Sequence, residues 1–430
     1  MLEDLYGDAE ISAHLTPEAE VAAMVQVEIA LARVEARLGV IPSEAAEVIA
    51  EALAAVRIAP KDMVGPTAAA GVAVPGLVAM LREAAGAHGG YVHWGATSQD
   101  IVDTGWVLRL CEVLAILAGR LDAVIASLAD QAEAHAGTVM AGRTRSQIAT
   151  PVTLGLRIAG WLAPLVRCRD RLAELKPRLL VVQFGGASGN LSALQGRGVE
   201  VMAGLADELA LGCPEKPWHT ERDGLVELAN WLAMVTSLLG RMGGDLIILG
   251  RSEIAEVRAG RGGGSSTMPQ KSNPVGAEAL VVLARQVSGL AATLHQVLLS
   301  QEERDGTTWP LEWLTLPGML EGTGAALRHA EVLAGSLNPA PEAMARTMAL
   351  GGGAIHAEAL AFELAQHMPL PEAQALIKQA VAQGGDLVAG VRRLCAERAL
   401  DTGDLDLSAQ TATDAALIAR IVATARSVPD

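Results

Sequence analysis

The chain has 430 residues, of which 51% are hydrophobic but only 3% aromatic, and its formal net charge is −16. Alanine and leucine lose little conformational freedom in a helix, so this composition favours closely packed helices. The length predicts two or three domains or one extended helical body, and the acidic charge argues against a surface for nucleic acid or anionic membranes.

The four cysteines are far apart and form no CxxC pair, which is typical of reduced cysteines in a cytosolic protein. The N-terminal residues are acidic and lack a basic-then-apolar signal. The longest apolar run, Leu228–Gly240, is too short to span a bilayer. We therefore expect a soluble, cytoplasmic protein.

The first helix is predicted to begin at Thr16-Pro17-Glu18, where an N-cap residue precedes proline and an acid, and to stop at Gly39. Ser43 is predicted to cap the next helix. Between about residues 57 and 100, glycine and proline break the chain into short pieces. We interpret residues 1–100 as an N-terminal helical domain.

Five long stretches with helical periodicity follow. The first begins at Asp100 and continues for roughly 30 residues. The other four cover Pro151–Leu175, Leu225–Leu249, Val275–Leu299 and Leu311–Leu333. The third is apolar on nearly all sides, which predicts almost complete burial. The fold class is therefore all-α, with a central long-helix bundle in residues 101–340 whose excess apolar surface predicts contact with other subunits. Shorter helices in 341–430 form a small C-terminal domain, and only Leu179–Gly186 is a candidate strand.

One stretch, Gly260–Pro274, combines three consecutive glycines with two hydroxyls, a lysine and an asparagine. Glycine-rich backbone can direct several N–H groups at an anion, while Lys271 adds charge and Asn273 a neutral donor. The alternative is a flexible linker between helices. Gln270 stands where a phosphate-binding P-loop needs glycine, and the chain has neither an HExxH pattern nor a GxSxG elbow.

Three other polar, glycine-containing segments lie beside long helices: His93–Asp100, Gly142–Gln147 and Gln183–Asn190. Each alone could be a helix cap or a turn. Thr97 and Ser98 could cap the following helix, and the N–H groups there would suit a carboxylate. Together these segments indicate a site for a small polyanion at helix ends.

These segments also carry a family resemblance. GSSTMPQKSNP resembles the signature loop of the fumarase/aspartase superfamily, HWGATSQDIVDTG its first region and GRTRSQIATPVTLG its second. The N-terminal segment and VVQFGGASGNLSAL are most similar to the superfamily branch that lactonises 3-carboxy-cis,cis-muconate in aromatic-acid catabolism. The resemblance implies an enzyme with three all-α domains, a homotetramer with shared active sites, a small polycarboxylate substrate, and no metal or organic cofactor.

The resemblance also implies residue roles. Ser265 matches the catalytic serine that exchanges a proton on the carbon next to a carboxylate, and Lys271 matches a residue that stabilises the intermediate. Thr97 and Ser98 match carboxylate-binding positions, Asn273 a residue that holds the substrate carboxylate, and His93 a polar position near the site. We also expect Arg145 and Gln147 to bind the substrate, and Ser266 and Glu278 to support the site. Glu278 could equally be an ordinary first-turn helix acid, and His93 a structural hydrogen-bonding histidine. His219 lies in the segment PWHTERD, which also resembles this branch of the superfamily. The simpler explanation of that segment is that Thr220 caps a helix.

Arg145 departs from the lyases of the superfamily, which have a general-acid histidine at this position. Arginine stays protonated, so it cannot be that acid, but it can bind a carboxylate bidentately. An arginine at this position is compatible with a cycloisomerase. The attacking group in that reaction is the substrate's own carboxylate, which needs no proton from an acid of the enzyme. Alternatives are a fumarate-releasing lyase similar to adenylosuccinate lyase, a cycloisomerase for a sulfonated muconate, and a non-catalytic helical scaffold.

Overall fold

The structure is a computed structural model that describes residues 2–264, 267–401, 405 and 407–427. It is almost entirely helical. The α-helices are α1 (Glu3–Tyr6), α2 (Ala9–Ala13), α3 (Pro17–Arg37), α4 (Ser43–Ala55), α5 (Pro60–Ala70), α6 (Val74–Ala84), α7 (Ser98–Ala134), α8 (Leu154–Leu179), α9 (Gly198–Leu209), α10 (Asp223–Leu249), α11 (Val275–Leu294), α12 (Trp309–Ala334), α13 (Pro341–Ala349), α14 (Ala357–Leu364), α15 (Leu370–Gln383), α16 (Leu387–Glu397) and α17 (Asp414–Arg426).

Short strands form three two-stranded antiparallel ladders among the described residues. The strands are β1 (Val139–Thr144), β2 (Gln147–Thr153), β3 (Val257–Arg258), β4 (Gly263–Gly264), β5 (Ser272–Asn273) and β6 (Asn338–Pro339). They pair as β1 with β2, β3 with β6, and β4 with β5. Short 3₁₀ helices lie at Gly86–Tyr91, Ser192–Leu194, His295–Leu299, Ala354–His356 and Ser408–Thr411.

The all-α prediction is confirmed, and all five predicted long helices are present as α7, α8, α10, α11 and α12. Local signals set several boundaries. Thr16 Oγ1 accepts a hydrogen bond from the Ala19 N–H at 3.1 Å, which caps α3. Gly39, just beyond that helix, has a left-handed φ of 70°, the conformation that commonly ends a helix.

Three local predictions were wrong. Ser43 is the first residue of α4 and makes no capping bond, while Pro42 occupies the N-cap. Leu179–Gly186 is not a strand: Leu179 ends α8, and Val181 makes only an isolated bridge with Gly212. The β1–β2 hairpin was missed, and its second strand takes the residues Pro151–Thr153 that were expected to begin α8.

The chain divides into two compact units, and each long helix has residues in both. The first unit comprises residues 1–120, 168–237 and 283–327, and the second comprises 121–167, 238–282 and 328–430. The first has a core in which α3, α4, α6 and α9 bury leucine, valine and isoleucine side chains around Phe184. In the second, α14, α15 and α16 bury a smaller cluster that includes Leu376 and Val391.

Burial of α10 is less complete than its composition predicts. Both α10 and the segment Val275–Leu299 are long and apolar enough to cross a membrane by length and composition alone. In their most apolar windows only 44% and 33% of residues are buried within this chain. Exposed apolar side chains on these segments include Ile248 and Leu299, 48% and 66% exposed.

Candidate active site

In the first unit, the predicted site begins at the N-terminus of α7. Thr97 directly precedes the helix, and Ser98 is its first residue. The predicted cap was the Thr97 or Ser98 side chain acting on the helix backbone. Instead, the Asp100 side chain accepts a hydrogen bond from the Thr97 backbone N–H at 2.9 Å. This leaves the Thr97 hydroxyl for another partner, and both Thr97 and Ser98 are half-buried.

Asp100 joins two distant segments to this helix end. Its fully buried carboxylate accepts the N–H groups of Gly185 and Gly186, each at 2.9 Å, and the amide of Gln183 at 3.2 Å. His219 Nε2 lies 2.8 Å from Asp100 Oδ1 and donates to it, since a carboxylate only accepts. Several donors to one buried carboxylate make a rigid network, so the segment 183–190 is fixed beside Thr97.

His219 is therefore not explained by a helix cap at Thr220. Helix α10 begins only at Asp223, and the Thr220 hydroxyl donates to the Glu302 carbonyl at 3.4 Å. The other ring nitrogen of His219, Nδ1, is buried and has no hydrogen-bond partner among the described residues. Sequence reasoning considered this histidine but could not find its partner, because Asp100 is 119 residues away.

Sequence reasoning missed Arg304. Its Nη1 donates to Thr97 Oγ1 at 2.7 Å, and its Nε to Gln99 Oε1 at 3.3 Å. The guanidinium thus adds a positive charge beside the α7 N-terminus, where the helix dipole already favours an anion. A general signal could have found it: an acidic chain that binds an anion must concentrate positive charge locally, and Arg304 lies two residues before Gly306.

His93 lies four residues before Thr97 and has a left-handed φ of 64°. Its Nδ1 is 2.6 Å from Oε1 of Glu28, a carboxylate that is almost completely buried. A non-glycine residue in this conformation is uncommon. The contact matches the structural, hydrogen-bonding alternative for His93 and leaves its predicted substrate-binding role a prediction.

In the second unit, Arg145 lies at the tip of the β1–β2 hairpin. Thr144 pairs with Gln147, so Arg145 and Ser146 form a two-residue loop, with φ of 49° and 66°. Such loops usually contain asparagine or glycine, and strained residues are concentrated at functional sites. The side chain of Arg145 is exposed and has no hydrogen bond or ion pair to the described residues.

An ion pair anchors this hairpin close to its tip. Arg143 donates from Nη1 and Nη2 to the two carboxylate oxygens of Glu256, each at 2.9 Å. Glu256 is completely buried, so this bidentate contact is well shielded from solvent. The exposed residues Arg145 and Gln147 therefore lie next to an anchored part of the hairpin.

The signature loop is closed by the β4–β5 ladder, in which Gly263 pairs with Asn273 and Gly264 with Ser272. Gly262 has a φ of 67°, and a Cβ there would lie 2.0 Å from Ser272 Oγ. The glycines therefore permit close approach of two backbone segments. Ser265 and Ser266 lie outside the described residues, so their predicted roles stay predictions.

Around that closure, Lys271 is exposed and Asn273 half-buried. Glu278 is an exposed acid in the first turn of α11, as the simpler alternative expects. The predicted residues thus form three local groups: His93, Thr97 and Ser98 at α7, Arg145 and Gln147 on the hairpin, and Lys271 and Asn273 on the loop. Among the described residues, no hydrogen bond or ion pair joins Arg145 or Gln147 to the loop group.

Comparison with known proteins gives one consistent family. The family model described as "Lyase" matches residues 9–289. A 3-carboxy-cis,cis-muconate cycloisomerase from Pseudomonas aeruginosa is 43% identical over 389 residues, which are 89% of this chain and 85% of that protein.

Two solved structures are similar over nearly the whole chain. The crystal structure of 3-carboxy-cis,cis-muconate lactonizing enzyme from Pseudomonas putida has a TM-score of 0.91 and 37% identity, with 99% of both chains covered. That of fumarate lyase from Mesorhizobium sp. BNC1 has a TM-score of 0.91 and 33% identity, with 97% of this chain and 98% of that chain covered.

Proposed function

This chain belongs to the lyase family of the fumarase/aspartase superfamily, and from that premise we propose that it is a cycloisomerase acting on 3-carboxy-cis,cis-muconate. The observation that carries the proposal is the near full-length similarity to cycloisomerases of this name, which extends beyond the family's shared motifs. The reaction is the intramolecular closure of the tricarboxylate to a carboxymuconolactone.

In the proposed reaction, an oxygen of one substrate carboxylate adds to a carbon of the double bond. The displaced electron pair moves into a second carboxylate, which becomes an aci-carboxylate. The Ser265 hydroxyl then gives its proton to the carbon next to that carboxylate and is reprotonated from solvent. The proton taken up from solvent replaces the one that the attacking carboxyl group had already released, so the lactone is an isomer of the substrate when both are written as acids.

Charge stabilisation is assigned to the signature loop. Lys271 supplies a positive charge and Asn273 a neutral donor to the aci-carboxylate, and the glycine-rich backbone, with Ser266 as a supporting hydroxyl, supports the serine alkoxide. The glycine pairing in the β4–β5 ladder supports this assignment, because it brings Asn273 to the closed end of the loop. Glu278 would support the site from the start of α11.

Substrate carboxylates are assigned to the other two groups. Thr97 and Ser98 lie at a helix N-terminus beside Arg304, and His93 is close to them in the chain. Arg145 and Gln147 offer a charged fork and an amide on the hairpin tip. Arg145 cannot donate a proton to a leaving group, but ring closure has no leaving group to protonate.

Active sites in the proposed enzyme are shared between subunits of a homotetramer. The apolar residues that α10 and α11 leave exposed in one chain support subunit burial. Acidic and basic side chains on both helices, such as Asp245 and Arg285, favour protein over lipid as the cover. We also propose the division into three domains at residues 1–100, 101–340 and 341–430, and a cytoplasmic location.

The proposal is tested by mixing the purified protein with the tricarboxylate and following loss of the conjugated-diene absorbance. Ser265→Ala should reduce turnover by about two orders of magnitude or more, because proton delivery contributes that much to such reactions. Ser266→Ala is the matched control and should have a smaller effect. Equal turnover by Ser265→Ala and wild type would remove the serine from the mechanism.

A fumarate-releasing lyase is the second candidate, favoured by the similarity to a fumarate lyase structure. It would require a general acid in place of Arg145, and His219 is the buried histidine with an unpartnered ring nitrogen among the described residues. Fumarate released from adenylosuccinate, with no lactone from the muconate, would decide for the lyase. Turnover of a sulfonated muconate instead would assign the anion site to sulfonate.

A further inference from the structure

A cavity in the first unit contains an arginine that has no hydrogen-bond or ion-pair partner among the described residues. The cavity has a volume of about 310 Å³ and lies beside the N-terminal third of α7 and the start of α12. Its wall includes the side chains of Trp106, Arg109, Trp313, Leu15, Val72 and Pro317. These residues belong to none of the three groups of the candidate active site.

Arg109 is the positive charge in this wall. Its guanidinium lies 4.6 Å from the centre of the Trp106 ring, and its Nε is buried. Among the described residues it makes neither a hydrogen bond nor an ion pair. Burial lowers the pKa of Arg109, against the opposing influence of Glu20. Arginine nevertheless stays protonated at neutral pH, so its donors need an acceptor.

The acids deeper in the same wall are already engaged. Asp103 accepts Arg222 Nη1 at 2.8 Å and Trp309 Nε1 at 2.9 Å. Both oxygens of Glu312 accept from Arg222, at 2.7 and 2.5 Å. Two carboxylates around one buried guanidinium raise the pKa of Arg222, although burial alone opposes its charge. Asp103 and Glu312 are therefore paired with Arg222 and not with Arg109.

Glu20 is the remaining acid in the wall. It is half-buried near the start of α3 and makes no hydrogen bond or ion pair to Arg109. The rest of the wall combines two indole rings with aliphatic side chains. A ligand for this cavity therefore needs one anionic end for Arg109 and an apolar body for the wall.

We propose that this cavity binds a small carboxylate with an apolar, single-ring body. Its two oxygens accept from the Arg109 guanidinium in the planar, bidentate geometry that arginine favours. Its ring packs against Trp106, Trp313 and the aliphatic wall. The volume is at the lower end of the range for small-molecule pockets, which matches one ring rather than a nucleotide. The site is independent of the proposed reaction.

Benzoate is the probe, measured by calorimetric titration of the full-length protein carrying Lys271→Ala, which weakens carboxylate binding at the proposed active site. We expect one benzoate per chain. Adding Arg109→Gln should weaken its binding by about tenfold or more, since a charged hydrogen bond is lost. Arg33→Gln is the matched control, because Arg33 lines a different groove of the same unit and is 57% exposed. It should leave the affinity unchanged, and benzyl alcohol should not compete.

Arg109→Lys keeps the charge without the fork and should bind benzoate with intermediate affinity. It also serves if Arg109→Gln fails to fold, which circular dichroism and the oligomer mass will show. Benzoate that does not bind at millimolar concentration, or that binds both Arg109 variants as tightly as the parent, overturns the proposal. A change in oligomer mass for Arg109→Gln without any benzoate binding also overturns it, because Arg109 would then be satisfied by another subunit.

Discussion

At the scale of single residues, Arg145 is proposed to bind a substrate carboxylate rather than to act as a general acid. Its exposed side chain, its left-handed backbone and the anchored hairpin beneath it all fit an anion-binding role. If it binds a substrate carboxylate, Arg145→Gln should raise KM by about 10- to 100-fold, which corresponds to the loss of a charged hydrogen bond. The fall in kcat should be smaller. Steady-state kinetics on the tricarboxylate give both values.

Arg145→Lys is the control for that change. It keeps the charge and loses the bidentate geometry, so its KM should lie between those of wild type and Arg145→Gln. A large fall in kcat with an unchanged KM would contradict the binding role and would assign Arg145 to the chemical step instead.

Site residues can be proposed from the sequence where the chemistry is contained in one short segment. The roles of Thr97, Ser98, Lys271 and Asn273 are predictions of this kind. The sequence could not predict the contacts of His219 and Arg304, because each meets the α7 N-terminus across more than 100 residues of chain. Only the folded chain reveals such contacts, since nothing in the local sequence specifies the partner.

At the scale of elements, α3 carries an unusual pair of acids in its buried face. Glu28 and Glu35 lie seven residues apart and are both almost inaccessible to solvent. Neither carboxylate oxygen of Glu35 has a hydrogen-bond partner among the described residues. Burial, together with repulsion from Glu28, raises the pKa of Glu35 from 4.5 to about 9.

This shift makes stability depend on pH. Between about pH 4.5 and pH 9 the folded chain keeps a proton on Glu35 that the unfolded chain releases, so folding stability falls as the pH rises. Glu35→Gln removes this titration. Its free energy of unfolding relative to that of wild type should therefore increase steadily across that window, with a slope of at most about 1.4 kcal/mol per pH unit.

Thermal unfolding at several pH values measures this difference. Glu51→Gln is the control, because it makes the same change at an exposed acid on α4. Parallel curves for wild type and Glu35→Gln would show that Glu35 does not titrate in this window.

The helices could be predicted and the hairpin could not, for a physical reason. Leucine and alanine at helical spacing identify α7, α10, α11 and α12 directly. In the β1–β2 hairpin, by contrast, the pairing register shifts between Ala141 and Arg143, so the alternation of buried and exposed residues is interrupted. The apolar run Leu179–Gly186 shows the converse error, since a short apolar run is equally compatible with a helix end and a buried loop.

At the scale of the whole molecule, the proposed enzyme has active sites that are shared between subunits. Thr97→Val with Ser98→Ala disables one group, and Lys271→Ala disables another. If the groups of one site come from different chains, dissociating and mixing the two inactive proteins should restore activity, because some sites then contain only wild-type groups. Diene loss by the reassembled mixture measures the recovery.

The control mixes Lys271→Ala with Ser265→Ala. Both changes lie on the same loop, so every site in any mixed oligomer carries one of them and should stay inactive. Recovery in the control, or none in the first mixture, would contradict shared sites.

The all-α class and the family were predictable at this scale, because helical periodicity and the signature segments extend over most of the chain. The burial of α10 within this chain was overestimated. An apolar composition predicts that a helix is buried, but not whether its own chain or another subunit buries it.

The most direct test of the central claim is to identify the product by NMR after incubating the wild-type protein with 3-carboxy-cis,cis-muconate in D₂O. We expect complete conversion to a carboxymuconolactone with one deuterium on the carbon next to a carboxylate, and no fumarate from adenylosuccinate under the same conditions. Unchanged muconate at high protein concentration, with fumarate formed from the second substrate, would contradict the assignment.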